Sequence, residues 1–431
     1  MTIHSDAEPA SDEAAEPEAF ERTTFSSLRI PAYRTLFFAG TASFMAVQMQ
    51  FLLRGVLAWD LTERESALGL VYLFFGLSML VATPLGGVAA DRLPNRTVLL
   101  AAQGVLTAGA ALIGFAVVTG VIQYWMLLVG AVAQGTAFGF YGPTRVAFSA
   151  KIVGADQLGN AITLSMLSLN GTRIFAPSLA GALAGVALFG IGGAYLVAAG
   201  FSVVGLVLVS RCPEGAPTQA PSGDGPFRQI ADGVRYVRRH PHLRRLVVSS
   251  FFVIMFGFNY VAFVPAFVKD LFGRGDGSVG LLMSASSIGA VVVAASLARN
   301  ADGPNARRLM VLSGVTFGLF VIVLAAAPSF WAAFAITAFV GAATTGYQSL
   351  SNTLALAMTD DGHRGRVQSL MMLSFAGFGI AAAPLGVLAE AIGLRWAMAV
   401  MGVVAAGACT VYALAEWWVH RAHDDAAVAP G

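Results

Sequence analysis

The sequence GVAADRLPNR, from Gly87 to Arg96, is a short charged turn between two long apolar segments. A glycine at the end of a helix lets the backbone of a neighbouring helix approach closely. Asp91 follows Gly87 by four residues and falls on the same helical face, where its carboxylate can accept hydrogen bonds from another helix N-terminus. Arg92 and Arg96 can pair with acidic groups on a facing part of the molecule. This latch loop therefore indicates either a contact that forms and breaks between helices or an ordinary charged turn.

Apolar segments of membrane-spanning length continue on both sides of the latch loop. Hydrophobic residues make up 57% of the 431 residues and charged residues only 12%, whereas a soluble domain carries about 25% charged residues. A transmembrane helix needs about 20 predominantly apolar residues. Twelve segments meet this requirement: Leu36–Ala58, Leu68–Ala90, Val98–Val118, Tyr124–Ala147, Ala161–Leu183, Ala187–Val209, Leu246–Val268, Val279–Ala298, Leu309–Ala326, Phe330–Met358, Val367–Ala389 and Trp396–Val419.

The longest polar gap between these segments divides the chain into two halves of six predicted spans. Within the gap, Pro226–His240 has the pattern of a short basic amphipathic helix, typical of a segment that lies on a membrane surface. The sequence therefore predicts an all-α membrane protein with five parts. These are a disordered acidic tail (1–30), a six-helix half (31–210), a linker (211–245), a second six-helix half (246–420) and a short tail (421–431).

The two halves repeat each other in sequence. The pattern Leu-Ser-x-x-Gly-x-x-Ile at Leu167–Ile174 recurs 206 residues later at Leu373–Ile380, and the same offset places Tyr141 on Tyr347. Two parallel six-helix repeats, with the substrate site between them near the membrane midplane, are a known arrangement of secondary transporters. The repeat therefore predicts a transporter with its binding cavity between the halves.

The distribution of lysine and arginine predicts the orientation in the membrane. With the N-terminus placed in the cytoplasm, the cytoplasmic segments contain 19 basic residues and the opposite side contains four. Basic residues are enriched in cytoplasmic loops. We therefore expect both termini to lie in the cytoplasm.

Two motifs resemble those of a known transporter family. The latch loop residues Gly87, Asp91, Arg92 and Arg96 resemble the signature loop of the major facilitator superfamily, although Pro94 and Asn95 replace its second glycine and first basic residue. That resemblance implies a cytoplasmic latch that breaks and reforms during alternating access. In span five, a second motif resembles the antiporter motif of the drug-efflux branches, with alanine at two of its glycine positions: Ala176, Pro177, Gly181 and Gly185.

Three longer stretches are similar to the enterobactin and macrolide exporter branch of that superfamily: Leu28–Arg34, Arg145–Gly181 and Arg364–Gly386. The resemblance implies an efflux antiporter that exports a drug-like or siderophore-like small molecule from a multi-pass position in the plasma membrane, working as a monomer. We expect no enzymatic activity, no cofactor, no metal and no nucleic-acid partner.

Polar residues within the predicted spans are candidates for the substrate cavity, because ionisable and polar groups in a membrane are costly and usually functional. Arg173 is the most central, and a fixed arginine there suggests either anionic substrate groups or a carboxylate partner. The full set of candidates is Arg54, Tyr141, Asn170, Arg173, Asn259, Tyr260, Tyr347, Gln348 and Asn352.

Proton coupling has weaker support from the residues. No aspartate, glutamate or histidine occupies the middle of a predicted span, and Ala131 stands where drug/proton antiporters often carry an arginine. Asp60 and Glu390, close to span ends on the side opposite the termini, are the best candidates for proton coupling. Asp91 with the cytoplasmic basic groups is the alternative, in which protons act on gating.

Two other functions remain open. The same fold can import a small metabolite, as a symporter or a facilitator. A membrane-embedded enzyme would need a catalytic constellation or a metal cluster at membrane depth, and the lack of buried histidine and carboxylate in the spans disfavours it. The sequence contains no phosphate-binding glycine loop followed by lysine and serine or threonine, which disfavours direct use of ATP.

Overall fold

The computed structural model describes residues 25–214, 226–297, 305–360 and 363–428, and these residues contain helices and no strands. Short 3-10 turns form at Ser26–Arg29, before α1, and at Gly257–Asn259, between α7 and α8. The α-helices are α1 (Pro31–Thr62), α2 (Glu65–Arg92), α3 (Asn95–Val118), α4 (Tyr124–Gly185), α5 (Gly190–Ser210), α6 (Pro226–Arg239), α7 (Pro241–Phe256), α8 (Tyr260–Phe272), α9 (Asp276–Leu297), α10 (Ala306–Ala325), α11 (Phe330–Ala357), α12 (Arg364–Ile392) and α13 (Leu394–Val428).

Most of these helices have the length and composition of membrane spans. In the parts of the chain that the structure describes, nine segments are long and apolar enough to cross a membrane, with α7 and α8 counted together. The long helix α4 and the helix α12 are not among the nine, but they cover predicted spans four, five and eleven. The protein is therefore an all-helical membrane protein, and the total of twelve spans remains a prediction.

Successive spans run in opposite directions, which gives the bundle two ends. We call the end where α1 begins and α2 finishes, at Pro31 and Arg92, the near end. The opposite end, where α1 finishes and α2 begins at Thr62 and Glu65, is the far end. A contact between α3 and α5 agrees with this arrangement, since Arg96 at the start of α3 donates to the carbonyl of Ser210 at the end of α5.

The gap between predicted spans four and five is largely helical, but the chain turns within it. One residue, Gly154, interrupts α4 with φ 73° and ψ 176°, and the chain turns there from one arm of α4 into the next. Only glycine adopts this conformation at low cost. Around the turn, Val153 and Ala161 are buried against Tyr33, whose hydroxyl donates to the Ala161 carbonyl at 2.7 Å. Packing on α1 therefore keeps this polar stretch helical.

Predicted span seven is broken rather than continuous. Gly257 begins the 3-10 turn between α7 and α8, and a Cβ there would lie 2.7 Å from the Cβ of Ala405 and 2.8 Å from Phe317. The side-chain amide nitrogen of Asn259 donates to the carbonyl of Met255. It also donates to the carbonyl of Phe378 on the neighbouring helix α12, at 3.0 Å. Side-chain amides that bond to backbone carbonyls compete with the regular helix. The break is therefore a tertiary feature, invisible to a hydropathy pattern.

The predicted tails and linker agree only in part with the structure. Residues 1–24 of the tail and 215–225 of the linker lie outside the described residues. At the end of the predicted disordered tail, Ser27 is instead ordered, and its backbone N–H donates to the side-chain oxygen of Asn160 at 3.2 Å. Helix α13 continues to Val428, through most of the segment predicted as a tail. Helix α6 ends one residue before the predicted amphipathic helix does.

The two halves contain the same internal hydrogen bond. In the first half the hydroxyl of Tyr141 donates to Ser43 at 3.2 Å, and in the second half the hydroxyl of Tyr347 donates to Ser250 at 3.2 Å. These tyrosines are the pair that the 206-residue offset placed in equivalent positions. Equivalent helices of the two halves are therefore joined at equivalent points, α1 to α4 and α7 to α11.

Candidate functional site

A cleft lies between the two halves, and its lining residues lie on the near-end side of the contacts that join the halves. The space between its walls is about 450 Å³ when the open mouth is included. Eleven residues line it: Met166, Leu169, Asn170, Arg173, Ile254, Phe258, Tyr347, Gln348, Ser351, Asn352 and Met371.

Each half supplies one polar wall of the cleft. On the first half, Asn170 and Arg173 are three residues apart on the second arm of α4, and helical geometry puts them on one face. On the second half, Gln348 and Asn352 are four residues apart on α11 and share a face in the same way. The 3-10 turn between α7 and α8 contributes Phe258. Across the cleft, the cationic side chain of Arg173 on one wall therefore faces neutral hydrogen-bonding groups on the other.

Five of the predicted cavity residues line this cleft: Asn170, Arg173, Tyr347, Gln348 and Asn352. Met166, Leu169, Ile254, Ser351 and Met371 line the cleft but were not predicted as cavity residues. For three of them a signal was available, because Met166 and Leu169 precede Asn170 and Arg173 by four residues on α4, while Ser351 directly precedes Asn352. Helical spacing from a predicted polar residue would have found these three.

The other four predicted cavity residues lie outside the cleft. Arg54 is 1% exposed and lies beside Tyr72 and Tyr195, inside the first half. Tyr141 is buried and bonded to Ser43. The position of a residue along a span did not reveal which way it faces, and both side chains turn into the first half.

In the second half, Asn259 and Tyr260 are also structural residues. The Asn259 amide stabilises the 3-10 turn through backbone carbonyls. Tyr260 is 2% exposed, and its ring centroid lies 6.1 Å from that of Phe317. The polarity of Asn259 thus serves the broken helix, and neither residue lines the cleft.

The antiporter-like motif forms a tight seam with α9 on the far side of the cleft. A Cβ on Gly181 would lie 2.0 Å from the Cα of Gly280, and one on Gly185 would lie 2.4 Å from the Cα of Gly277. Ala176 is fully buried and Pro177 is half-buried within the same arm of α4. These small residues bring the backbones of the two halves into direct contact, as such residues do in membrane helix packing.

A second seam joins α2 to α12. A Cβ on Gly69 would lie 2.4 Å from the carbonyl oxygen of Ala382, and one on Gly76 would lie 2.8 Å from that of Ala376. Beside this seam, Phe51, Tyr72 and Phe378 form an aromatic cluster in which the ring centroids of Phe51 and Phe378 are 5.6 Å apart. The two seams and the aromatic cluster close the molecule between the cleft and the far end.

Both candidates for proton coupling belong to polar links between the halves at the far end. Lys269 of α8 forms ion pairs with Asp60 of α1 and with Asp276 of α9. Glu390 of α12 accepts a hydrogen bond from the hydroxyl of Ser66 at 2.6 Å and pairs with Arg64 at 3.5 Å. The far end is therefore held by charge pairs as well as by close backbone packing.

The hydrogen bonds of the latch loop lie within the first half. The close backbone approach expected at Gly87 occurs instead at Gly86, where a Cβ would lie 2.4 Å from the Gly139 carbonyl oxygen, while a Cβ at Gly87 would meet open space. Asp91 is half-buried and makes no hydrogen bond or ion pair that we find among the described residues. Arg96 bonds to the Ser210 carbonyl and Arg92 is exposed. In this conformation the loop does not bridge the halves through these groups.

Comparison with solved structures shows the same fold in known transporters. A bacterial homologue of the human lysosomal transporter Spinster, in an inward-facing and unoccupied conformation, gives a TM-score of 0.69 at 16% identity, covering 90% of this chain and 96% of that one. The nucleoside transporter NupG gives 0.67 at 13% identity, covering 89% and 98%.

Comparison of sequences identifies the family. The enterobactin exporter EntS of Salmonella choleraesuis (strain SC-B67) is 25% identical over 361 residues, 83% of this chain and 85% of the relative. The exporter EntS of Shigella flexneri is 26% identical over 297 residues, 68% of each chain. The family model described as transmembrane secretion effector matches residues 22–427. The chain is therefore a transporter and not an enzyme, and it belongs to the transmembrane secretion effector family of the major facilitator superfamily.

Proposed function

We propose that this protein is an efflux antiporter that exports a drug-like or siderophore-like small molecule by alternating access, using the proton-motive force. The near end faces the cytoplasm in this proposal, as the distribution of basic residues predicts. The observation that carries it is the arrangement of the interface between the halves. The cleft lies toward the near end, while glycine seams, aromatic rings and ion pairs join the halves toward the far end.

The two kinds of far-end contact suit different tasks in such a cycle. The glycine seams exclude leakage by direct backbone contact and have no side chains that would have to move when the halves separate. The ion pairs of Asp60 and Glu390 are sensitive to protonation, because a neutral carboxyl no longer pairs with Lys269 or Arg64. Both carboxylates are exposed at the far end. A group that carries protons must be reached from both sides, so these carboxylates serve gating, and protons act through the opening of the far end.

The test is accumulation of a panel of lipophilic dyes, antibiotics and siderophores in cells with and without this protein, each measured with and without a protonophore. Lower accumulation in expressing cells, abolished by the protonophore, is the expected result. Higher accumulation of any compound would instead establish uptake, which the same fold can perform. No change across the panel, with the protein present in the membrane, would contradict the export of drug-like or siderophore-like compounds.

A further inference from the structure

The interior of the first half carries an excess of positive charge. Between residues 93 and 213 the sequence has five basic residues and one acidic residue, Asp156. Three arginines lie inside predicted spans of this half, Arg54, Arg145 and Arg173, whereas predicted spans of the second half contain none. Charges at membrane depth are costly, and they persist where they serve a ligand, an ion or a partner.

Two of these arginines are buried among aromatic and small residues. Arg54 is 1% exposed and its neighbours are Tyr72 and Tyr195. Arg145 is 6% exposed, and its guanidinium lies 4.8 Å from the centroid of the Phe44 ring. The Nε atom of each has no hydrogen-bond partner in the described part of the chain, and no ion pair joins either arginine to a described carboxylate. Aromatic rings stabilise these cations without cancelling their charge.

The third arginine, Arg173, lies at the closed end of the cleft. Eight residues separate it from Gly181 in the far-end seam, which corresponds to about 12 Å along the helix. The other polar side chains of the lining are neutral, and none of the eleven lining residues is acidic. Low-dielectric walls focus the field of nearby charges into a cleft. A ligand that reaches the closed end therefore meets a positive potential from Arg173, and the two buried arginines of the same half carry the same sign of charge.

We propose that the substrate of this cleft is an amphipathic organic anion, an inference that rests on the proposed function of export. Its anionic group, a carboxylate or another oxyanion, binds the guanidinium of Arg173 on the α4 wall, because the planar guanidinium matches an oxyanion in geometry and charge. Its neutral polar groups face Gln348 and Asn352 on the α11 wall. Its apolar body contacts the apolar lining residues, Met166, Leu169, Ile254, Phe258 and Met371.

A series of three probes on one scaffold tests this proposal with the full-length protein. The probes are a naphthalene fluorophore that bears a carboxylate, its uncharged carboxamide and its aminomethyl analogue, and both binding to purified protein and efflux from expressing cells are measured. We expect the carboxylate to bind at least tenfold more tightly than the carboxamide, and the amine to bind most weakly.

Charge variants locate the effect. Arg173→Gln should abolish the preference for the carboxylate, and Arg173→Lys should restore part of it. Arg211→Gln is the matched control, because Arg211 is exposed at the near end, and it should retain the full preference. Size-exclusion chromatography of each variant verifies folding, and the comparison of the three probes on the unaltered protein needs no variant at all.

The outcomes separate this inference from the proposed function. Efflux of the carboxamide or the amine at a rate equal to or above that of the carboxylate would overturn the anion inference and leave export standing. An unchanged preference in folded Arg173→Gln would overturn the assignment to this cleft. A lack of efflux for these probes and for the whole dye and antibiotic panel would overturn export, and the anion inference with it.

Discussion

Asp91 is a single residue whose contacts depend on the conformation of the whole transporter. It is half-buried at the near end of α2, and we find no partner for its carboxylate among the described residues. A carboxylate at a helix end is stabilised by a helix N-terminus. We therefore infer that Asp91 finds its partner when the near end closes, so that the interaction contributes to the cycle rather than to the conformation described here.

The variant Asp91→Asn should keep its fold and membrane insertion and lose most of its transport. We expect export to fall at least tenfold, because the conformation with a closed near end loses a charged interaction. The free energy of unfolding of the conformation described here, with the near end open, should change by no more than about 0.5 kcal/mol. Export in cells and thermal unfolding in detergent measure the two quantities. Asp270→Asn, at an exposed far-end residue, is the control. Normal export by Asp91→Asn would remove the latch role.

Neutralising the far-end links should open the far end. Asp60→Asn removes one partner of Lys269, and Glu390→Gln removes the partner of Arg64, so each change weakens the contact between halves. Distances between spin labels at Thr62→Cys and Gly275→Cys, one on each half, should shift to larger values. Asp270→Asn again serves as control and should leave the distances unchanged. Identical distributions in all variants would show that the seams alone hold the far end.

Glu416 lies near the end of the last predicted span and was not among the candidate residues chosen from the sequence. Its side chain is buried and joins three helices of the second half: His242 at 2.7 Å and Arg245 at 2.6 Å from α7, and Arg307 at 3.1 Å from α10. The equivalent point in the first half is tied by Arg96 and the Ser210 carbonyl. Each half thus fastens its third helix to its sixth at the near end.

Replacing this carboxylate should destabilise the protein. Glu416→Gln leaves two arginines without their partner, and the expected loss of unfolding free energy is about 2 kcal/mol, between the values for exposed and buried ion pairs. Thermal or denaturant unfolding in detergent measures it. Asp232→Asn breaks the exposed pair with Arg235 and should cost almost nothing. Equal stability of both variants would contradict the anchoring role of Glu416.

At the scale of single residues, the sequence predicted chemistry better than orientation. Arg173 and Asn170 were predicted to face the cavity because they are polar, central and three residues apart, and both line the cleft. Arg54 was placed there as well, yet it turns into the first half, since one helical turn carries residues that face every direction. Deciding between these directions requires the neighbouring helices, which a single sequence does not reveal.

At the scale of elements, the second arm of α4 shows how small residues set the distance between halves. Gly181→Ala would place a Cβ 2.0 Å from the Cα of Gly280, and neither backbone can yield without separating the helices. Gly171→Ala is the matched control on the same arm, because a Cβ there meets nothing within 4 Å. We expect Gly181→Ala to lose export and to shift the far-end spin-label distances outward, whereas Gly171→Ala should behave like the original protein. Normal closure in Gly181→Ala would contradict the sealing role of this seam.

The elements themselves were predictable where burial in lipid alone decides them. Long apolar runs and the polar gaps between them located the helices, because a chain in hydrocarbon must satisfy its own backbone hydrogen bonds. The break at Gly257–Asn259 and the helical turn at Gly154 were not predictable in this way. Both depend on partners far away in sequence, such as the Phe378 carbonyl for Asn259 and Tyr33 for the stretch beyond Gly154.

At the scale of the whole molecule, a symmetric fold carries an asymmetric charge. The repeat places Tyr141 and Tyr347 in equivalent hydrogen bonds, but the arginines inside the predicted spans all belong to the first half. The sequence contained both facts. Their meaning needed the structure, which shows that one of these arginines borders the cleft while the facing wall is neutral.

An anionic substrate would also explain how export is driven although no carboxylate lies in the middle of a predicted span to carry protons. Moving one charge across the membrane changes the free energy by about 2.3 kcal/mol per 100 mV, and a negative interior drives anions outward. Export of an anion from the near-end side can therefore draw on the membrane potential directly. A buried carboxylate that carries protons would then be unnecessary for uphill transport.

This argument predicts that export of the carboxylate probe is electrogenic. In liposomes loaded with the probe, a negative interior set by valinomycin and a potassium gradient should accelerate efflux, and a positive interior should slow it. Because the carboxamide carries no charge, its residual efflux should respond only to the charge of any accompanying ions, and this comparison isolates the contribution of the substrate. Efflux of the carboxylate that follows a pH gradient at zero potential, and is indifferent to potential at constant pH, would contradict this prediction, because it would show that each anion leaves together with a proton that cancels its charge.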